Sequence, residues 1–181
     1  PDTLVNVSPL NYRSFSIADL SNYVTHQNID RYLIGGIANY RPLNWLSGNF
    51  NIGLDYINRF DFRSLQPNKL PIAQSFTIGS RESARTNNYL YTGTGSASAN
   101  FTPFSSLTSK TTIGASYNRN VLQSTVGTGN GIVAGTENLG ATSSLFTVDE
   151  GFSEIISIGT FAREELAFRD RMFLSASVRR D

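Results

Sequence analysis

Few residues in this chain are of types that do chemistry, and their spacing argues against catalysis. His26 is the only histidine; it stands in a polar stretch, so a Ser-His-Asp arrangement would rest on one residue with no visible partner. Glu164 and Glu165 are adjacent, and on a strand they point to opposite faces instead of sharing a cleft as an acid/base pair. With no cysteine and one histidine, a zinc site of cysteine and histidine ligands is not available. Thr92-Gly93-Thr94-Gly95 lacks the lysine of a phosphate loop, and the run from Gly127 to Gly135 has no helix behind it; both read as small residues in a strand and a loop. Asp149, Glu150 and Glu154 are carboxylates that could hold calcium, although their spacing fits no known calcium loop. No enzyme, cofactor or metal site is expected.

The polar residues that recur with a period are better candidates. Asn49, Asn51, Asp55, Arg59, Asp61 and Arg63 occupy odd positions in the run from Leu46 to Arg63, while Leu46, Gly48, Phe50, Ile52, Leu54, Tyr56, Phe60 and Phe62 occupy even ones. A strand points successive side chains to opposite faces, so this is one ribbon with an apolar and a wet side. Strands of soluble proteins usually stop at about 5–6 residues. A far longer one with Asp, Arg and Asn on one face and aromatics on the other suits a strand that crosses a membrane beside a watery lumen. The even face is therefore expected to meet lipid and the odd face the lumen. Such lumen-facing residues commonly bond one another, so they are read first as wall structure and second as ligand contacts.

The elements that carry them repeat. Residues 1–30 read as a loop or a short strand. A hairpin over 31–63 turns at Pro42-Leu43-Asn44; residues 64–88, with Pro67 and Pro71, read as a long loop. A second hairpin spans 89–123, with Tyr89, Tyr91, Gly93, Gly95, Ala97, Ala99 and Phe101 on one face. Residues 124–152, rich in Gly, Thr and Asn, read as a second long loop. A third hairpin spans 153–181 and turns at Phe168 to Arg171. Ile155, Ile156 and Ile158 break the alternation, which leaves the inward face of 153–166 open. Tight turns all fall at one end of the strands and long loops at the other. Outer-membrane barrels show that asymmetry, whereas a soluble sandwich has little reason to. The fold class expected is all-β: an antiparallel up-and-down meander of about six strands, one segment of a larger transmembrane β-barrel.

Composition bounds the reading. The chain has 181 residues with only 16% charged and 12% aromatic, and its polarity comes from Ser, Thr, Asn and Gly, which weaken helices. Tyr, Phe and Thr favour strands. A net charge of +1 provides no basic stripe for nucleic acid. No run of about 18 apolar residues could make a transmembrane helix, and no signal peptide is visible; a barrel strand needs only about 9–11 alternating residues.

Aromatic rings prefer the headgroup level. Tyr40 and Trp45 flank the first tight turn, Phe101 and Phe104 the second, Phe168 and Phe173 the third; they are expected to form one girdle. Eleven steps from Trp45 to Tyr56, at about 3.3 Å each and a tilt near 45°, rise about 26 Å, close to an apolar band. Tyr56, Tyr89 or Tyr91, and Tyr117 would form the opposite girdle.

With these stretches in view the chain resembles the SusC/RagA-like branch of the TonB-dependent outer-membrane receptors. NYRPLNWLSGNFNIGLDYINRFDF, SSLTSKTTIGASYNRN and IGTFAREELAFRDRMFLSASVRRD carry the resemblance; they sit on the three hairpins, and FRDRMFLSASVRRD is the most specific. The resemblance implies a 22-stranded barrel with an N-terminal plug in the outer membrane of a Gram-negative bacterium, energised through TonB and often lidded by a surface lipoprotein. Outer-membrane lipid, TonB, the lid and the remainder of its own barrel are the implied partners. The function it implies is nutrient import, with this segment a passive wall. No plug domain or TonB box is recognisable in these residues. The alternative is a secreted or surface all-β subunit that assembles into a fibre through open strand edges.

Overall fold

The computed structural model describes residues 23–67 and 78–181. The described residues hold six strands, β1 (Tyr23–Leu43), β2 (Leu46–Leu65), β3 (Ser80–Phe104), β4 (Leu107–Ile132), β5 (Thr142–Phe168) and β6 (Met172–Arg180), with a 3-10 turn at Leu139–Ala141 between β4 and β5. They form one sheet in the order β1-β2-β3-β4-β5-β6, so each strand pairs with its neighbours in sequence. This is the all-β antiparallel meander that the alternation predicts. The first five strands run 21, 20, 25, 26 and 27 residues, several times the usual length. No helix among the described residues is long and apolar enough to cross a membrane, which does not bear on crossing by strands.

The chain divides into two compact units. The first holds the described residues of Pro1–Asp30, Asn58–Thr86 and Gln123–Gly151; the second holds Arg31–Ile57, Asn87–Leu122 and Phe152–Asp181. In the second unit Val121 is the one fully buried large apolar side chain among the described residues. Its isoleucines Ile34, Ile52, Ile113 and Ile158 are all more than half exposed. The first unit has a small core at Leu65 and Ile132, 4% and 3% exposed.

The turn between β5 and β6 is built from two left-handed residues. The Arg171 amide donates to the Phe168 carbonyl at 3.0 Å, across Arg169 and Asp170 with φ of 49° and 53°. That is the primed geometry whose twist matches a hairpin. Asp tolerates it; Arg does so at a steric cost.

Three expected boundaries move. Tyr23 to Asp30, the end of the stretch read as a loop or a short strand, belongs to β1, and the rest of that stretch lies outside the described residues. The expected loop over 64–88 gives up Ser80 to Asn88 to β3, and the one over 124–152 gives up its start to β4 and Thr142 onward to β5. In the last two the residues lack an apolar period, and other contacts fasten the strands. Near Ser80 these are arginines stacked on phenylalanines, Arg81 on Phe62 and Arg85 on Phe60. Further along, Gly127 and Gly129 leave room for Leu139 and Thr142, which a Cβ at either glycine would strike.

Candidate functional site

The strand register sorts every side chain onto one of two faces. Between β5 and β6 the Cα partners are Phe161 with Arg179, Arg163 with Ser177, Glu165 with Ser175 and Ala167 with Phe173; Ala162 with Val178, Glu164 with Ala176 and Leu166 with Leu174 alternate with them. This settles the face of 153–166 that the sequence leaves open: odd positions share a face with Ser175 and Ser177, even ones with Leu174 and Val178.

In the second unit one face is a polar network. Arg31 grips Asp55 with both arms of its fork, Nε to Oδ1 at 2.9 Å and Nη2 to Oδ2 at 2.6 Å. Asn51 Nδ2 donates to Asn49 Oδ1 at 2.7 Å and to Thr94 Oγ1 at 3.2 Å. Asn49 Nδ2 donates in turn to Asn39 Oδ1 at 2.6 Å. The chain of contacts continues with Ser98 and Thr112, whose hydroxyls are 2.9 Å apart, and with Glu165 between Lys110 at 3.3 Å and Arg163 at 2.6 Å.

The opposite face of this unit is an apolar band with rings along it. Tyr32 stacks on Tyr56 at 6.1 Å, Tyr56 on Tyr89 at 4.6 Å, and Tyr89 lies 6.5 Å from Tyr91; Trp45 and Phe101 meet at 5.3 Å near the first two tight turns. Charge enters this face at two places only among the ion pairs and carboxylate bonds of the described residues. Arg119 pairs with Glu154 at 2.6 Å and lies 5.7 Å over Tyr91. Near the turns, the Ser109 and Thr111 hydroxyls donate to Glu164 at 2.5 and 2.6 Å. Between them stand Ile34, Ile52, Ala97, Ile113, Ala115, Ile158 and Ala176.

In the first unit Asp61 accepts from Gln27 Nε2 at 2.7 Å and pairs with Arg59 at 2.6 Å; Arg63 reaches Glu82 at 3.9 Å. Partial burial pushes the Asp61 carboxyl up, but the Gln27 and Arg59 hydrogen bonds and the charges of Arg59 and Arg63 outweigh it and hold the group below its ordinary range.

The structure thus joins Asn49 to Asn51 and Arg59 to Asp61, but gives Asp55 and Arg63 partners outside the six candidates. Arg31, Asn39, Thr94, Lys110 and Glu165 belong to the same polar faces and were missed. The signal for them lay in cross-strand pairing: alternation on both arms of the first hairpin, folded at Asn44, sets Asn39 beside Asn49. The girdle loses Phe173, because its register with Ala167 puts it on the face of Glu165 and Ser175, opposite Phe168. Tyr40 and Phe104 are 72% and 69% exposed. His26 lies in β1 and stacks on Phe62 at 5.2 Å. Among the described residues no three carboxylate or imidazole groups gather, and Glu154 pairs with Arg119.

The sequence matches no family model and no curated protein. The fold is similar to part of the RagAB peptide transporter, with a TM-score of 0.81 at 17% identity over 88% of this chain and 18% of that one. The RagAB peptide importer gives 0.73 at 18% identity in its open-open state and 0.72 at 17% in its closed-closed state, with the same coverage. The chain therefore spans under a fifth of the length of these proteins. At this identity the likeness shows the fold.

Proposed function

We propose that the chain is a wall segment of an outer-membrane β-barrel transporter that imports peptides or chemically similar nutrients, with the apolar face toward lipid and the polar face toward the lumen. The observation that carries this is the apolar band of the second unit. It crosses all six strands, has no covering layer among the described residues, and apart from Arg180, which ends β6 opposite Thr160, carries its charge near its two rims. In water such a continuous exposed patch favours association; in a bilayer it is the required surface. The polar face has the complementary property, since its donors largely satisfy one another and suit a wet channel.

Six strands leave two open edges, which the rest of a barrel would pair. The segment acts as a passive wall that does no bond chemistry, and peptide cargo is the extension from RagAB. TonB and a surface lipoprotein lid are the partners this reading adds. The test is fractionation of cells making the full-length protein, with uptake of a labelled oligopeptide pool. The protein should need detergent for extraction from the outer-membrane fraction, and a protonophore or deletion of the gene should abolish its share of uptake. Recovery in the aqueous phase, or filaments under the electron microscope, would contradict it.

A further inference from the structure

Near the start of β3, Arg81 is 7% exposed. Its guanidinium carbon lies 4.1 Å from the centre of the Phe62 ring. Stacking of this kind engages the flat face of the guanidinium and leaves its N–H groups unused. Nε and Nη1 are buried without a hydrogen-bond partner. The neighbouring carboxylate, Glu82, faces the other way and pairs with Arg63, and among the described residues Arg81 joins no ion pair. Ser64 is the next residue after Phe62 on the same face of β2. It is 5% exposed, and its Oγ is likewise buried and unpartnered.

A buried cation without an acceptor is among the least favourable arrangements a protein interior can hold, and buried donors are almost always satisfied. Here a guanidinium over the Phe62 ring and a hydroxyl two residues on from Phe62 share the same lack, on adjacent strands and on one face. Planar N–H donors of arginine match oxyanions, and a phosphate, with three acceptor oxygens, can accept from one edge of the guanidinium and from a hydroxyl at once. Arg85, exposed, four residues on and 5.5 Å over Phe60, adds positive charge on the same face and has no ion pair among the described residues.

We propose that Arg81 and Ser64 form a phosphate-binding site with Phe62 as its floor. The ligand chemistry is a phosphate monoester, either free or as the headgroup of a lipid. The site lies wholly in the first unit and stands whether or not the transport reading holds.

The test uses the full-length purified protein in detergent after delipidation. In phosphate-free buffer, Arg81→Gln should melt at or above the wild-type temperature, since it removes an uncompensated charge. Inorganic phosphate should raise the wild-type melting temperature by about 3 °C near saturation, Ser64→Ala by less, and Arg81→Gln not at all; Arg63→Gln, on the opposite face, should respond like wild type. In a second arm, native mass spectrometry compares dihexanoyl phosphatidic acid with dihexanoyl phosphatidylcholine. Arg81-dependent retention of the former without a shift from inorganic phosphate identifies a lipid source, and the reverse a soluble one. If neither probe binds wild type, or Arg63→Gln loses the response as fully as Arg81→Gln, the site does not exist.

Discussion

Arg31 and Asp55 meet across β1 and β2 as a two-pronged pair, the guanidinium Nε and Nη2 at 2.9 and 2.6 Å from the two carboxylate oxygens. The arginine is 53% exposed and the carboxylate 19%, so water screens the pair and its value is more in register than in stability. Bidentate geometry is specific to arginine. Replacing Arg31 by Gln or Asp55 by Asn should lower the melting temperature of the full-length protein slightly, and the exchange Arg31→Asp with Asp55→Arg should recover most of the loss. Additive losses in the exchange would mean that the two side chains are not coupled.

The turn at Arg169 and Asp170 places two non-glycine residues at positive φ. A left-handed residue with a Cβ costs roughly 1–2 kcal/mol relative to one without, and Asn-Gly is the pair this turn prefers. Arg169→Asn with Asp170→Gly should therefore stabilise the protein by about 1 kcal/mol, read as a shift in the urea midpoint at constant slope. A loss of stability would show that the Arg169 side chain, 5.3 Å over the Phe168 ring, matters more than the backbone.

Asp61 is held below its ordinary range, which fixes the sign of its pH dependence. A carboxylate with a depressed folded value contributes stability that is complete above the unfolded value of about 3.9 and is lost as pH falls through the lower folded value. The wild-type melting temperature should drop below about pH 4 by more than that of Asp61→Asn, while the two should run parallel between about pH 5 and 8. Divergence in the neutral range would require another titrating group.

The meander was legible because alternation over β2 and β3 is long and regular, and tight turns stood out against it. What could not be read has a common cause. Ser80 to Asn88 pairs through arginine–phenylalanine stacking, and the glycine-rich end of β4 through close approach of Leu139 and Thr142; neither leaves an apolar period in the sequence. The polar partners Arg31, Asn39 and Thr94 emerge only once strands are set side by side, because a single strand shows which face a residue takes but not what it meets. Phe173 was misassigned to a girdle on proximity to a turn, although its parity within β6 already sets it opposite Met172 and Leu174.

Leu54 and Asn51 lie on opposite faces of one strand. Under the proposed orientation, Leu54→Arg puts a charge against the middle of the hydrocarbon and should impair assembly by roughly 2–4 kcal/mol, whereas Asn51→Arg adds a charge in a wet lumen and should be tolerated. Folded yield in detergent-resistant form measures both. Equal tolerance would refute the assignment of faces.

The central claim is the division of β2 into a lipid face and a lumen face, and these 181 residues hold no cysteine of their own, so labels on β2 can be read once any cysteine elsewhere in the full-length protein is replaced by serine. Single cysteines are introduced in turn at Asn49 through Tyr56 in the reconstituted full-length protein. Each is labelled with an environment-sensitive probe and exposed to quenchers confined either to lipid or to water. The account predicts strict alternation, with positions 50, 52, 54 and 56 quenched from lipid and 49, 51, 53 and 55 from water. Uniform quenching by the aqueous reagent across all eight positions would contradict it.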